Sequence, residues 1–112
     1  MNAGDRAEQI AAAYLQGQGL ALVESRYRCR WGEIDLILRD RDTLVFTEVR
    51  LRRSKDFGGA AYSVDRHKQA RLVATARHYL AQTRDAPCRF DVVLLDRIAP
   101  PRIEWIRDAF SA

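Results

Sequence analysis

Gly32-Glu33-Ile34-Asp35-Leu36-Ile37-Leu38 and, after a short polar turn, Val45-Phe46-Thr47-Glu48-Val49-Arg50 are the stretches on which the reading of this chain turns. Both are apolar runs of strand length and read as strands, yet each carries acid inside it. A carboxylate in such a place is costly to desolvate unless a cation or hydrogen bonds compensate it. Asp35 and Glu48 therefore call for a partner.

Working outward, Leu20–Cys29, Glu33–Arg39 and Thr43–Leu51 form three strands. The turns Arg30-Trp31-Gly32 and Asp40-Arg41-Asp42 separate them in the rhythm of an antiparallel meander. Period two groups Ile34, Leu36 and Leu38 against Glu33, Asp35 and Ile37, and Leu44, Phe46, Glu48 and Arg50 against Val45, Thr47 and Val49. Before the meander, Ala7, Ile10, Ala11, Tyr14 and Leu15 have the spacing of an amphipathic helix over Asp5–Gln16, ended by Gly17 and Gly19. Glu8 falls about a quarter-turn from the centre of its apolar face, at ~100° per residue.

A second helix is expected from Val64 to Gln82, burying Val73, Ala76 and Leu80, with His67, Arg71, Thr75 and His78 as a polar stripe. The two histidines are too far apart along it to share a metal, and both read as surface or cleft-rim residues. Asp85-Ala86-Pro87 ends this helix. The run Phe90-Asp91-Val92-Val93-Leu94-Leu95 reads as a strand covered on both faces, joined in parallel to the third strand through a right-handed crossover. Asp91 has Arg89 as a local partner. Arg102–Ile106 reads as an edge strand whose Ile103, Trp105 and Ile106 cover the core, and Asp108–Phe110 as a terminal turn. The element order is α-β-β-β-α-β-β, an α/β domain spanning residues 1–112.

At 112 residues and 47% apolar content one domain can bury a core without staples. No apolar run reaches the ~18 residues of a membrane span, and no basic stretch leads into an apolar leader. A cytoplasmic protein with no membrane partner is expected. Cys29 and Cys88 match no metal-ligand spacing and read as free thiols. Nineteen Lys+Arg against 15 Asp+Glu give a net charge of +4. That excess suits a polyanionic partner and equally an ordinary arginine-rich surface.

The pattern Asp35-x12-Glu48-x-Arg50 fits phosphodiester hydrolysis. Hard divalent cations take one or two protein carboxylates, keep waters and bind substrate phosphate, while a nearby cation supports the charge that builds on the phosphate. The alternative is a pair of acids satisfied by Arg50 and Arg52 with no metal. Arg50, Arg52, Arg53 and Lys55 form either a phosphate-contacting cluster or a solvated strand end. Trp31 reads as a turn aromatic capping the core, with stacking on an unpaired base as the alternative.

At these residues the chain resembles the YraN family, bacterial proteins similar to Holliday-junction resolvases of the PD-(D/E)xK nuclease superfamily. The resemblance rests on Gly4-Asp5, Glu8-x-x-Ala11-x-x-Tyr14-Leu15, Gly32-Glu33-Ile34-Asp35 and Val45-Phe46-Thr47-Glu48-Val49-Arg50. It extends through Arg52-Arg53-Ser54, Phe57-Gly58, Lys68-Gln69 and Arg89-Phe90-Asp91-Val92-Val93. It implies a restriction-endonuclease-like core, a mixed sheet flanked by helices, with Asp35 and Glu48 holding Mg²⁺ or Mn²⁺.

Glu8 matches the superfamily's additional helical acid, and Glu33 is an auxiliary acid on the Asp35 strand face. Lys68 and Gln69 are directed to the cleft or the DNA backbone. The implied activity is a metal-dependent endonuclease acting on DNA, with branched or structured DNA as substrate and a homodimer to make paired cuts. The alternative is a catalytically inactive nuclease-fold module that binds nucleic acid. Two departures stand out. Arg50 replaces the superfamily lysine and cannot accept a proton, though it can still clamp phosphate. Ser25-Arg26 stands where many relatives have Arg-Asn.

Overall fold

In the computed structural model, which describes residues 2–51 and 64–112, the chain follows the expected order. It runs α1 (Ala3–Gly17), β1 (Ala21–Cys29), β2 (Gly32–Asp40), β3 (Thr43–Leu51), α2 (Arg66–Gln82), β4 (Cys88–Ile98) and β5 (Pro101–Phe110). The five strands lie side by side in sequence order. β1–β2, β2–β3 and β4–β5 pair antiparallel, whereas β3 and β4 pair in parallel from Leu44–Cys88 to Leu51–Leu95. The sheet is therefore mixed, with its single parallel junction where α2 intervenes. Arg52, Arg53 and Lys55, and the motif residues Ser54 and Phe57-Gly58, lie outside the described residues.

Local chemistry sets the helix ends. Asn2 caps α1 by accepting the Asp5 N–H at 2.8 Å, and Asp65 caps α2 by accepting the Lys68 N–H at 2.8 Å. The second helix thus starts two residues after Val64, which is itself buried in the core. Gly19, at φ +100°, turns the chain out of α1 in a left-handed conformation that other residues adopt at a cost.

The core has two halves, one on each side of the sheet. On one side α1 lays Ala7, Ala11, Ala12 and Leu15 on Leu36, Leu38, Val45, Val93 and Leu95. On the other, α2 lays Leu72, Ala76 and Tyr79 on Ile34, Ile37, Phe46, Phe90, Val92 and Leu94. Successive β4 residues alternate between the two clusters, so β4 is covered on both faces, as its unbroken apolar run predicts. Each large side chain so buried contributes about 1.5–3 kcal/mol.

Four details depart from the sequence reading. First, Ile34 joins Ile37, not Leu36 and Leu38. The alternation slips between Asp35 and Leu36, at the point where β2 and β3 stop pairing: their register ends at Leu36–Thr47. Second, α2 buries Leu72, Thr75, Ala76 and Tyr79, while Val73 and Leu80 are only half-buried. Thr75 is fully buried rather than part of a polar stripe, because its hydroxyl donates to the Arg71 carbonyl at 2.8 Å and needs no water.

Third, Asp108–Phe110 continues β5 instead of turning away. Asp108 takes up a register shift at φ 52° and donates its N–H to Asp91 Oδ1 at 2.9 Å, which returns Phe110 to stack on Phe90 at 4.8 Å. Fourth, Trp31 belongs to neither core cluster and is 46% exposed.

Asp91, paired with Arg89 as expected, does more than that. Its side chain is completely buried and accepts from Arg89 Nε (3.1 Å), Trp105 Nε1 (3.0 Å) and the Asp108 N–H (2.9 Å). Arg89 extends the network to Asp40 at 2.9 Å, tying the β2–β3 hairpin to β4 and β5. Burial works against the Arg89 charge, but its bonds to Asp91 and Asp40 hold its pKa above the usual arginine value. Both cysteines are free thiols. Among the described residues no helix is long and apolar enough to cross a membrane.

Candidate functional site

Asp35 sits where the β2–β3 ladder opens. Its Oδ2 accepts the Val49 N–H at 2.8 Å, so a side-chain carboxylate takes the place that a β2 carbonyl would fill if pairing continued. The substitution spreads the two strands, and it puts an acid in a partly buried position with one oxygen already committed. Burial pushes the Asp35 carboxyl up to about 7. The Val49 bond opposes this, and the negative charges of Glu48, Glu8 and Glu33 add to it. The carboxylates named from the sequence thus feel one another across three elements.

Glu48, on the next strand, is 5% exposed. Arg50 Nη1 and Lys68 Nζ both stand 3.4 Å from its Oε2. Period two along β3 brings Arg50 there, and the N-terminal turn of α2 brings Lys68. Gln69, the neighbour of Lys68, is turned elsewhere: its side-chain amide donates to the Val64 carbonyl at 2.6 Å, closing the helix start.

Glu8 faces the same region from α1. Burial and the charge of Glu33 raise its pKa, and the Arg28 charge and the nearby Asp35 side chain work the other way. Arg26 Nε donates to Glu8 Oε1 at 2.9 Å and the same guanidinium contacts Asp5. Arg26 is the functional neighbour that sequence reasoning missed. It holds φ 55° on β1, a left-handed conformation in which asparagine is favoured and arginine is not. Glu33 pairs with Arg28 at 3.5 Å on the exposed rim.

Asp35, Glu48, Glu8, Arg50 and Lys68 are therefore brought together; Gln69 is not, and Arg52 and Arg53 lie outside the described residues. Among the described residues no group of three or more His, Cys, Asp or Glu side chains is placed to hold a metal ion. What the arrangement offers is a carboxylate pair. Asp35 has one oxygen uncommitted to Val49, and Glu48 has cations already beside it. A divalent ion would suit this donor set, because its charge would offset the burial that chiefly raises the Asp35 carboxyl, together with the smaller effect of the neighbouring acids.

Gly32 fixes how the β1–β2 hairpin meets α2. It holds φ +148°, and a Cβ there would stand 3.3 Å from Thr75 Oγ1 and 3.9 Å from the Arg71 guanidinium. Gly32→Ala is expected to cost about 1–3 kcal/mol through backbone strain and this close approach. Urea denaturation measures it, and a change under ~0.5 kcal/mol would refute the account.

Comparison with known proteins places this geometry in a family context. A family model described as "Uncharacterised protein family UPF0102" matches residues 7–95. The chain is 60% identical over 111 residues to the UPF0102 protein NE0719 of Nitrosomonas europaea, covering 98% of this chain and 94% of that one. It is 54% identical to a UPF0102 protein of Nitrosospira multiformis, covering 96% and 92% of the two chains. A UPF0102 protein of Cupriavidus metallidurans is 57% identical, with 96% and 80% covered.

Proposed function

The chain belongs to the UPF0102 family, and from that premise we propose that it is a metal-dependent nuclease acting on DNA, with branched or otherwise structured DNA as its substrate class. The observation that carries this reading is the Asp35 carboxyl, set at the opening of the ladder and raised to about 7 by burial and by the acids around it. A fold with no use for charge there would fill the position with an apolar residue or an amide.

Asp35 and Glu48 would hold Mg²⁺ or Mn²⁺, and Glu8, tethered by Arg26, supports the site from α1. A bound ion supplies charge neutralisation at the phosphate and a water acidic enough to attack it. Arg50, permanently charged, clamps a phosphate oxygen. Lys68, beside the same acid, supplies the primary amine that the strand position no longer carries. A homodimer would present two such sites to a symmetric junction.

A second reading has its own support. Arg50 and Lys68 already neutralise Glu48, which favours a binding module that has kept the fold and lost hydrolysis.

Incubation with linear, flapped and four-way DNA in Mg²⁺ or Mn²⁺ separates the two. Cleavage that falls about a hundredfold or more in Asp35→Asn and in Glu48→Gln is expected. Mn²⁺ should also raise the melting temperature of the wild type and not that of Asp35→Asn. Cleavage no greater than that of the double variant on every substrate would sink catalysis. Salt-sensitive DNA binding that survives Asp35→Asn would then establish the binding module.

A further inference from the structure

The β1–β2 hairpin ends in the two-residue turn Arg30-Trp31, between the paired Cys29 and Gly32. A tryptophan at such a tip normally finds cover, but Trp31 is nearly half exposed and contributes to neither core cluster. Among the described residues its ring contact is the Arg30 guanidinium, 4.6 Å from the ring centroid. That stack restrains the indole without hiding it, which lowers the entropy lost when the ring takes a partner.

The surroundings are cationic. Arg28, on β1, is 70% exposed at its side chain, and the close approach at Gly32 sets the exposed Arg71 guanidinium against the base of the hairpin. Trp31 and Asp35 are four positions apart, about 13 Å at ~3.3 Å per residue. At 3.4 Å per nucleotide that is about four base steps. An exposed aromatic with Arg30 on its ring, Arg71 at the base of the hairpin and Arg28 on β1, itself 3.5 Å from Glu33, lies a few nucleotides from a candidate phosphodiester site and matches the way proteins hold single strands: bases stack on rings while cations track the backbone.

We propose that the β1–β2 hairpin tip is a stacking platform on which Trp31 receives an unpaired base of DNA, with Arg28, Arg30 and Arg71 on the adjoining phosphates. The inference rests on the nucleic-acid reading above and gives it a substrate feature: an unstacked nucleotide a few positions from the cleavage position, as flaps, gaps and junction arms provide.

The test is fluorescence anisotropy of a labelled oligothymidylate of ~15 nucleotides, at low salt with EDTA so that cleavage is silent. A blunt duplex and an abasic oligomer of equal charge serve as comparisons. Trp31→Ala is expected to weaken binding of the oligothymidylate about tenfold, to leave the duplex and the abasic strand unchanged, and to be largely rescued by Trp31→Phe. Quenching of tryptophan emission on binding should be lost in Trp31→Ala, although Trp105 remains.

Circular dichroism checks that the variant, altered only at an exposed turn, is folded. DNA binding by the wild type with no dependence on Trp31, or an equal loss for the abasic strand, would overturn the platform and leave the nuclease reading standing. Absence of affinity for any DNA would overturn both.

Discussion

Asp91→Ala should destabilise the domain by about 3–5 kcal/mol, a large share of the ~5–15 kcal/mol available to a protein of this size. The carboxylate is completely buried and satisfies three donors from three places in the chain. Alanine takes the acceptor from the half-buried Trp105 indole N–H and from the N–H of Asp108, an exposed residue, so water offsets part of the ~1–3 kcal/mol that each would cost if fully buried. It also removes one of the two carboxylates that compensate Arg89.

Asp91→Asn is the informative partner variant. It keeps the shape, but its amide nitrogen must face a donor, so it should fall between wild type and alanine. Equilibrium urea unfolding reads both. A loss below ~1 kcal/mol for alanine would show that β5 holds its bulge without this network.

Asp35→Asn should do the opposite at neutral pH and stabilise the fold. An aspartate in the unfolded chain titrates near 3.9, while in the folded protein Asp35 is raised to about 7. Between those values the native state binds the extra proton, so stability is greatest at the acid end of the window and declines as pH rises through it. The full shift corresponds to about 4 kcal/mol at 1.36 kcal/mol per unit. Sharing of charge with Glu48, Glu8 and Glu33 should bring the observed figure nearer ~2 kcal/mol.

Asparagine still offers an oxygen to the Val49 N–H, so the strand opening is kept while the charge is removed. Melting temperatures of wild type and variant should coincide near pH 4.5 and separate by pH 7.5, with the variant higher. A difference that does not change with pH would mean that Asp35 titrates normally.

How much of this was legible in the sequence depends on the range of the interaction. The meander, both helices and the doubly covered β4 follow from periodicities within a few residues of each position, and the structure keeps them. Period two also put Glu48 and Arg50 on one side of β3, where they meet. It failed at Ile34, because the alternation there is reset by a bond from Asp35 to a different strand. Thr75 misled for a related reason: a hydroxyl that bonds its own helix is no longer polar to its surroundings.

Sequence also marked the acids of the site, with Arg50 beside them and Lys68 at the cleft, but not Arg26, nor which acid Lys68 would meet. Arg26 reaches Glu8 from a left-handed backbone position, and Lys68 reaches Glu48 from across the crossover. Neither contact leaves a local pattern. Trp31 reads from the sequence as a turn aromatic capping the core, with base stacking as the alternative; the structure leaves it 46% exposed at the hairpin tip.

The bond between the Asp35 carboxylate and the Val49 N–H puts position 35 under two selective pressures at once. Folding asks only for an oxygen that accepts a hydrogen bond, and an amide meets that demand without the charge. Chemistry on a phosphodiester asks for the carboxylate itself. A lineage that abandoned catalysis could therefore drift to asparagine at position 35 in a single step, with its fold intact and more stable than before, whereas alanine would forfeit the strand opening as well. Retention of aspartate against so easy an exit is the mark that a working site would leave on its descendants.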